Sequence, residues 1–252
     1  MTEVDLKGTV TLVTGASSGI GAAVARVLAA RGSAVALVAR REDRLTELAA
    51  ELTAAGGRAL PLAADVADEE QARAAVERTV ETWGRLDILV NNAGVARRGP
   101  MLDASVADWE QMVRVNLLGT LYCAHAALPH LIDAAENEPR KVADLVNVSS
   151  LSGRVVHQGS GVYNATKHGL NAYSESLRQE VAGRRVRVSV LEPAAVATEL
   201  FPPEVRRALV AQTRPYERLS PMDVADAVEY VVTRPPHAAV SELLIRPSES
   251  ER

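Results

Sequence analysis

The chain has 252 residues, 47% hydrophobic and 24% charged, the balance of a folded soluble protein. Aromatic residues are only 3%, so the core must be built from Ala, Val and Leu, which suits buried parallel strands covered by helices. The net charge of −4 argues against a general nucleic-acid binder, and the single cysteine, Cys123, excludes an internal disulfide framework and a cysteine zinc cluster.

The opening MTEVDLKG is acidic and lacks an apolar h-region, so no secretory signal is expected. No run of about 18 apolar residues is present, so no membrane span is expected either. A reducing, cytoplasmic setting fits, and with no repeat or low-complexity linker one domain over 1–252 is the simplest organisation.

VTLVTG (10–15) reads as a buried strand and 20–32 as an Ala-rich helix closed by Gly32. SAVALVAR (33–40) is the second strand, followed by a helix over 42–57 with acidic residues at its start and glycines at its end. The pattern continues as strand 58–66, helix 68–84, strand 86–94 and a long helix over 105–133. Then come strand 144–150, helix 161–182, strand 185–193, helix 221–233 and a short last strand at 242–247. This alternation predicts an α/β fold, a Rossmann-type doubly wound parallel sheet of about seven strands with helices on both faces. In such sheets ligands sit outside the carboxyl ends of the strands.

The loops at that edge carry the chemistry. TGASSGIG places Gly15, Gly19 and Gly21 between the first strand and the first helix, with Ser17, Ser18 and Ile20 among them. Glycines allow a tight turn and close approach of backbone amides to a phosphate, with the helix N-terminus behind them. A plain strand-to-helix turn is the alternative. After the second strand stand Arg40 and Arg41, where an acidic residue would instead bond the ribose of NAD. The two guanidinium groups suit the 2′-phosphate of NADP(H), with NAD(H) still possible, unless both are simply solvated. Glu42 and Asp43 read as first-turn helix residues favoured by the dipole. Asp65 and Val66 close the third strand, with Asp65 placed for an adenine amino group. Asn92, Ala93 and Gly94 of NNAG close the fourth, where small residues let a cofactor lie against the backbone. In SGVYNATKHG, Tyr163 precedes Lys167 by one helical turn, so phenol and ammonium share one face. No metal site is expected.

As an ordered set, TGASSGIG, Asp65–Val66, NNAG, Asn116 in VNLLGT, the serine run, YNATK and the Pro193–Thr198 stretch resemble the short-chain dehydrogenase/reductase family over 7–247. ARREDRL and LLIRPS are similar to a subgroup of NADP-dependent reductases of hydroxy acids and aldehydes. The resemblance implies a carbonyl–alcohol oxidoreductase (EC 1.1.1.-) with Tyr163 as proton donor and Lys167 as its partner. It implies Ser150, thirteen residues before the tyrosine, as the group bonding the substrate oxygen. Asn116 is implied as a relay through water to Lys167, or else it bonds its own helix. Pro193, Val196 and Thr198 are implied as nicotinamide contacts, although Ala194 replaces the family's usual glycine there. An adjacent Lys⁺ and the positive nicotinamide are expected to lower the phenol pKa. The rival function is a catalytically silent dinucleotide-binding regulator on the same fold.

The segment 199–221 is expected to be the substrate lid, with Phe201, Leu209 and Tyr216 as wall residues; Val155, Val156 and His157 face it, and Arg97 and Arg98 stand nearby. The stretch 133–144 reads as a surface loop without catalytic meaning. Leu117, Leu118, Leu121, Ala124, Ala127 and Leu128, with Leu170, Ala172, Tyr173 and Leu177, give the two long helices apolar surface beyond one sheet face. A homo-oligomer paired through them is expected, a tetramer ahead of a dimer.

Overall fold

The structure is a computed structural model that describes residues 5–137, 139–200 and 217–249. Seven parallel strands run β1 Val10–Thr14, β2 Ala34–Ala39, β3 Arg58–Ala63, β4 Ile88–Asn91, β5 Ala143–Val148, β6 Val186–Pro193 and β7 Glu242–Ile245. Their order is β3-β2-β1-β4-β5-β6-β7, every neighbouring pair parallel. The chain therefore leaves β1 outward in one direction and later returns to build from β4 in the other. That reversal opens a crevice at the carboxyl ends of β1 and β4.

Alternation along the strands feeds two cores. In β2, Val35 and Leu37 face one helical layer while Ala34, Ala36 and Val38 face the other. The first layer holds α1 Gly19–Ala30, α2 Glu42–Ala54 and α7 Pro221–Val232. The second holds α3 Glu69–Trp83, α5 Gly119–Glu136 and α6 Gly161–Val181. Helix ends follow their sequence signals. Asp68 caps α3 by accepting from Gln71 N at 2.9 Å, and Gly84 ends it at φ 79°. Ser220 and Asp223 form a capping box ahead of α7 with Pro221 as its first residue.

The long helix expected over 105–133 is interrupted. α4 Val106–Val113 passes through a π-helical turn, Arg114–Leu118, into α5. The stretch 106–136 is long and apolar enough by length and composition to cross a membrane, although polar residues interrupt its apolar run. Here it is a core helix: Cys123, Ala124, Ala127 and Leu131 are buried against the sheet. Burial also divides the apolar surface assigned to subunit pairing. Ala124, Ala127, Leu170 and Leu177 belong to the chain's own core. Leu117, Leu118, Leu121, Leu128 and Tyr173 remain half-buried, and Ala172 is exposed.

The stretch 133–144 is not a plain surface loop. Its first residues extend α5 to Glu136, and Arg140 turns inward, 3% exposed. Arg140 donates to Asp144 at 2.6 Å and to the Val232 carbonyl at 2.5 Å. Arg187 of β6 grips the same carboxylate through Nε at 2.7 Å and Nη2 at 2.9 Å, and it also donates to the carbonyls of Val232, Arg234, Pro235 and Ala238. Two guanidinium groups on one buried carboxylate thus tie the amino ends of β5 and β6 to the end of α7. Removing that carboxylate would strand two buried charges, the costly way to break such a cluster.

Candidate active site

A cleft of about 820 Å³ lies along the carboxyl edge of the sheet. Its walls come from the loops after β1 to β6 and from the start of α6. Of the residues singled out in the sequence, Gly15, Ser17, Ser18, Gly19, Ile20, Arg40, Arg41, Asp65, Val66, Asn92, Ala93, Gly94, Ser150, Tyr163, Lys167, Pro193, Val196 and Thr198 all line it. Gly21 and Asn116 do not.

Gly21 is a packing residue. A Cβ there would lie 2.4 Å from the Gly15 carbonyl oxygen and 2.6 Å from Asn92 Nδ2, so only glycine lets α1 sit this close to the β1 and β4 loops. Gly15 and Gly19 hold φ of 67° and 55°, the left-handed region that a turn of this shape requires. Ser18 precedes α1 without a side-chain cap bond, which leaves the first N–H groups of that helix at the cleft wall. Thr14 and Asn92 then tie the two central loops together. Thr14 Oγ1 accepts from Asn92 N at 2.9 Å and Ala93 N at 3.0 Å, while Asn92 Nδ2 donates to the Thr14 carbonyl at 2.9 Å.

At one end of the cleft Arg41 is already organised. It donates to Ser17 Oγ at 2.9 Å and Ser18 Oγ at 2.7 Å, and Nη1 donates to Glu199 at 3.1 Å. Arg44 donates to the same Glu199 oxygen at 3.0 Å. The hydrogen bond from Arg41 holds the Glu199 carboxyl below the usual range, so it is ionised at neutral pH. Arg40 stands more loosely, its guanidinium 3.9 Å from Asp65. Sequence reasoning missed Arg44 and Glu199, because a contact spanning 155 residues has no local signal.

At the other end α6 delivers Tyr163 and Lys167 on one face, with Lys167 Nζ 5.9 Å from the centre of the phenol ring. Lys167 Nζ donates to the Val148 carbonyl at 2.9 Å. Both side chains are deeply buried, and burial dominates their acidities. It drives the Lys167 ammonium down to about 8. It also raises the phenol of Tyr163, against a smaller opposing effect of a hydrogen bond from Ser150. Within the protein itself desolvation outweighs the Ser150 hydrogen bond, and the positive nicotinamide, half of the expected lowering, is not part of that balance.

Asn116 lies behind the cleft in the π-helical turn, 1% exposed. Its side chain accepts from Val95 N at 2.8 Å and donates to the Val95 carbonyl at 2.9 Å and to Thr166 Oγ1 at 3.3 Å. Through these bonds, none of them to its own helix, it latches the loop after β4 onto α6.

Ala194 raises no strain, since it is not among the described residues with positive φ, and its amide donates to the Ile245 carbonyl at 2.9 Å. Thr198 packs on Gly19, where a Cβ would come within 3.2 Å of its methyl. His157, Arg97 and Arg98 line the cleft, with Arg98 donating to Ser160 at 2.9 Å; Val155 and Val156 stay outside it. Phe201, Leu209 and Tyr216 lie outside the described residues. Among the described residues no group of three or more His, Cys, Asp or Glu is placed to hold a metal ion.

Residues 9–208 match the family profile described as short chain dehydrogenase. An uncharacterized oxidoreductase of Staphylococcus aureus (strain MRSA252) is 35% identical over 240 residues, covering 94% of this chain and 96% of its own length. A short chain dehydrogenase from Burkholderia cenocepacia, solved in complex with NADP, superposes with a TM-score of 0.85 at 31% identity, over 96% of this chain and 98% of that one. An alcohol dehydrogenase from the archaeon Thermococcus sibiricus, complexed with 5-hydroxy-NADP, gives a TM-score of 0.85 at 28% identity, over 97% of this chain and 98% of that one. With its glycine-bearing first loop, its seven-stranded sheet and its Tyr163–Lys167 pair at the open edge, this chain belongs to the short-chain dehydrogenase family of oxidoreductases.

Proposed function

We propose that the protein is an NADP(H)-dependent oxidoreductase that interconverts a carbonyl compound and an alcohol, with Tyr163 as general acid and base. The observation that carries this reading is the shared cleft. Ser150, Tyr163 and Lys167 stand at its buried end, and Arg40, Arg41 and the uncapped start of α1 at the other. The glycine turn, the open N–H groups of α1 and the guanidinium of Arg41 fit a phosphorylated dinucleotide. The NADP complexes of the Burkholderia and Thermococcus proteins support the same choice. When bound, the nicotinamide ring supplies or accepts the hydride.

The chain's own residues manage the oxygen and the proton. The Ser150 hydroxyl holds the substrate oxygen beside the phenol, which gives entropy already lost before reaction. As that oxygen gains negative charge, the Tyr163 phenol donates its proton to it. Lys167 has three donors, one taken by Val148, which leaves two for the nicotinamide ribose. The positive charge of the oxidised ring favours phenolate and opposes the burial effect. A cytoplasmic location belongs to the same reading; most of the segment expected as a lid, 199–221, lies outside the described residues.

Screening aldehydes, ketones and hydroxy acids against NADPH absorbance tests the activity, and no turnover across the panel would leave the regulator reading standing. Tyr163→Phe should lower kcat by about 10²–10⁴-fold, the usual contribution of a general acid, with NADPH affinity nearly unchanged. Steady-state rates and a fluorescence titration read both quantities, and near-normal kcat would refute the mechanism.

Cofactor choice should follow the arginines. Removing the Arg40 and Arg41 side chains should raise KM for NADPH more than for NADH by a factor of about ten to a hundred, matching a charge-assisted contact of roughly 1.5–3 kcal/mol. Equal use of NADH by the unaltered protein would sink this assignment.

Lys167 gives a pH-dependent test. Its folded pKa of about 8 lies below the ordinary 10.5, so below pH 8 folding buries a charged ammonium. Between 8 and 10.5 the unfolded chain holds the proton that the folded one has lost, and stability rises with pH. The cost near neutrality is about 3 kcal/mol at 1.36 kcal/mol per unit. The bond to Val148 offsets about 1 kcal/mol of it. Lys167→Met should therefore be inactive yet more stable at pH 7, with the advantage shrinking by pH 10. Urea unfolding at both pH values measures this, and a variant less stable at pH 7 would contradict it.

Self-association through the half-buried face of α5 and α6 extends the proposal. Light scattering should return a multiple of the 26.8 kDa chain mass, four chains ahead of two, and a monomer mass would reject the paired interface.

A further inference from the structure

α6 presents a longer polar row than the Tyr163–Lys167 pair. Asn171 follows Lys167 by another helical turn, so Tyr163, Lys167 and Asn171 stack along one face. Each of the three meets a different residue at the end of β5. Lys167 donates to the Val148 carbonyl at 2.9 Å, the Ser149 hydroxyl donates to Asn171 Oδ1 at 2.6 Å, and Ser150 lies near enough to Tyr163 to oppose part of the burial effect on its phenol.

The Asn171 amide does more than meet Ser149. Its Nδ2 also donates to the Gly153 carbonyl at 3.2 Å. One side chain therefore staples both ends of the turn 149–153, in the middle of which Ser150 sits. Inside that turn Ser150 Oγ accepts from Ser152 N at 3.1 Å, and Gly153 N donates to the Ser150 carbonyl at 2.8 Å. The fit is close: a Cβ on Gly153 would lie 2.7 Å from Asn171 Nδ2 and 2.9 Å from Ser149 Oγ.

Asn171 is itself held. Its Nδ2 donates at 2.7 Å to Glu192, a carboxylate 1% exposed at the next-to-last position of β6. Arg154, the residue after the turn, donates to the other Glu192 oxygen and reaches Glu242 of β7. A charged acceptor fixes the amide's orientation, because the NH₂ group must face the carboxylate and the carbonyl oxygen is then directed at Ser149.

We propose that Asn171, oriented by Glu192, is the positioning residue for Ser150, setting where the serine hydroxyl stands relative to the Tyr163 phenol. This rests on the reading that Ser150 holds the substrate oxygen. Loss of the staple leaves Ser150 present but free to shift, and displacement of a positioning group by about 1 Å can cost a hundredfold in rate.

The test is a double-mutant cycle on the full-length protein, using NADPH and the best carbonyl substrate of the panel above. Asn171→Ala should lower kcat by about 10–100-fold, while KM for NADPH stays within about twofold. Placed in a Ser150→Ala background, the same change should alter kcat by less than about twofold, because it acts through a hydroxyl already gone. Ser149→Ala removes a single hydroxyl and serves should Asn171→Ala fail to fold; it should show a smaller loss with the same disappearance in the Ser150→Ala background. Equal losses in both backgrounds, or a lower melting temperature with unchanged kcat, would overturn the positioning role. A Ser150→Ala protein with unaltered kcat would instead remove the premise about Ser150, and the positioning role with it.

Discussion

The ammonium of Lys167, donating to the Val148 carbonyl inside the protein, is the contact on which the site depends. It costs stability near neutral pH, since burial has pulled the group down to about 8. What the contact provides is registry. It pins α6 against the end of β5, so the phenol one turn earlier and the amide one turn later fall beside Ser150 and Ser149, the two residues that follow the strand. Apolar contacts such as those of the buried Leu170 and Leu177 are non-directional. A directed bond from a buried cation to one carbonyl cannot slide. The stability spent there is the familiar exchange of stability for a prepared site.

The opposite edge of the sheet uses the same chemistry for a different end. Asp144 accepts from both Arg140 and Arg187, all three buried, and the remaining donors of Arg187 satisfy carbonyls at the end of α7. Asp87 at the start of β4 accepts from Arg85 and from the Val10 amide. These carboxylates accept from donors of the chain itself and open onto no part of the cleft. At the carboxyl edge, hydroxyls, amides and N–H groups instead face an 820 Å³ space. Closed polar clusters at one edge and open ones at the other explain why a single edge carries the chemistry.

The sequence made the architecture readable because it is periodic at two scales. Strands such as VTLVT and ALVA alternate with helices closed by Gly32 and Gly84, and that alternation implies a parallel sheet. Motifs confined to a turn, including the glycine loop and the Tyr163–Lys167 step, were equally legible, since their geometry is local. What escaped was long-range or cooperative. A π-helical turn at Arg114–Leu118 has no residue signature, and it arises where Asn116 reaches across to Val95. Arg140 reads as one more loop cation, because its carboxylate partner is itself hidden in a strand. Glu192 and Asn171 lie 21 residues apart, and neither the EP nor the LN dipeptide hints at the other.

The cofactor end shows how charge is divided before any ligand arrives. Arg40, Arg41 and Arg44 cluster where the second strand ends, and Glu199 accepts from the last two of them. Glu199 follows directly on Thr198, which packs against Gly19 of the first loop. A carboxylate carries one negative charge, while a phosphate monoester carries about 1.5 to 2 at pH 7 and offers three acceptor oxygens. The two would compete for Arg41 on unequal terms, and the phosphate is the stronger claimant. Ser17 and Ser18 hold the same guanidinium from the loop side, so Arg41 need not be reordered when its anionic partner changes. A preformed guanidinium keeps more of its contact energy as affinity than a side chain that must first be ordered. Arg40, more exposed and 3.9 Å from Asp65, lacks that preparation, so under the proposed NADP(H) reading Arg41 is expected to carry most of the preference.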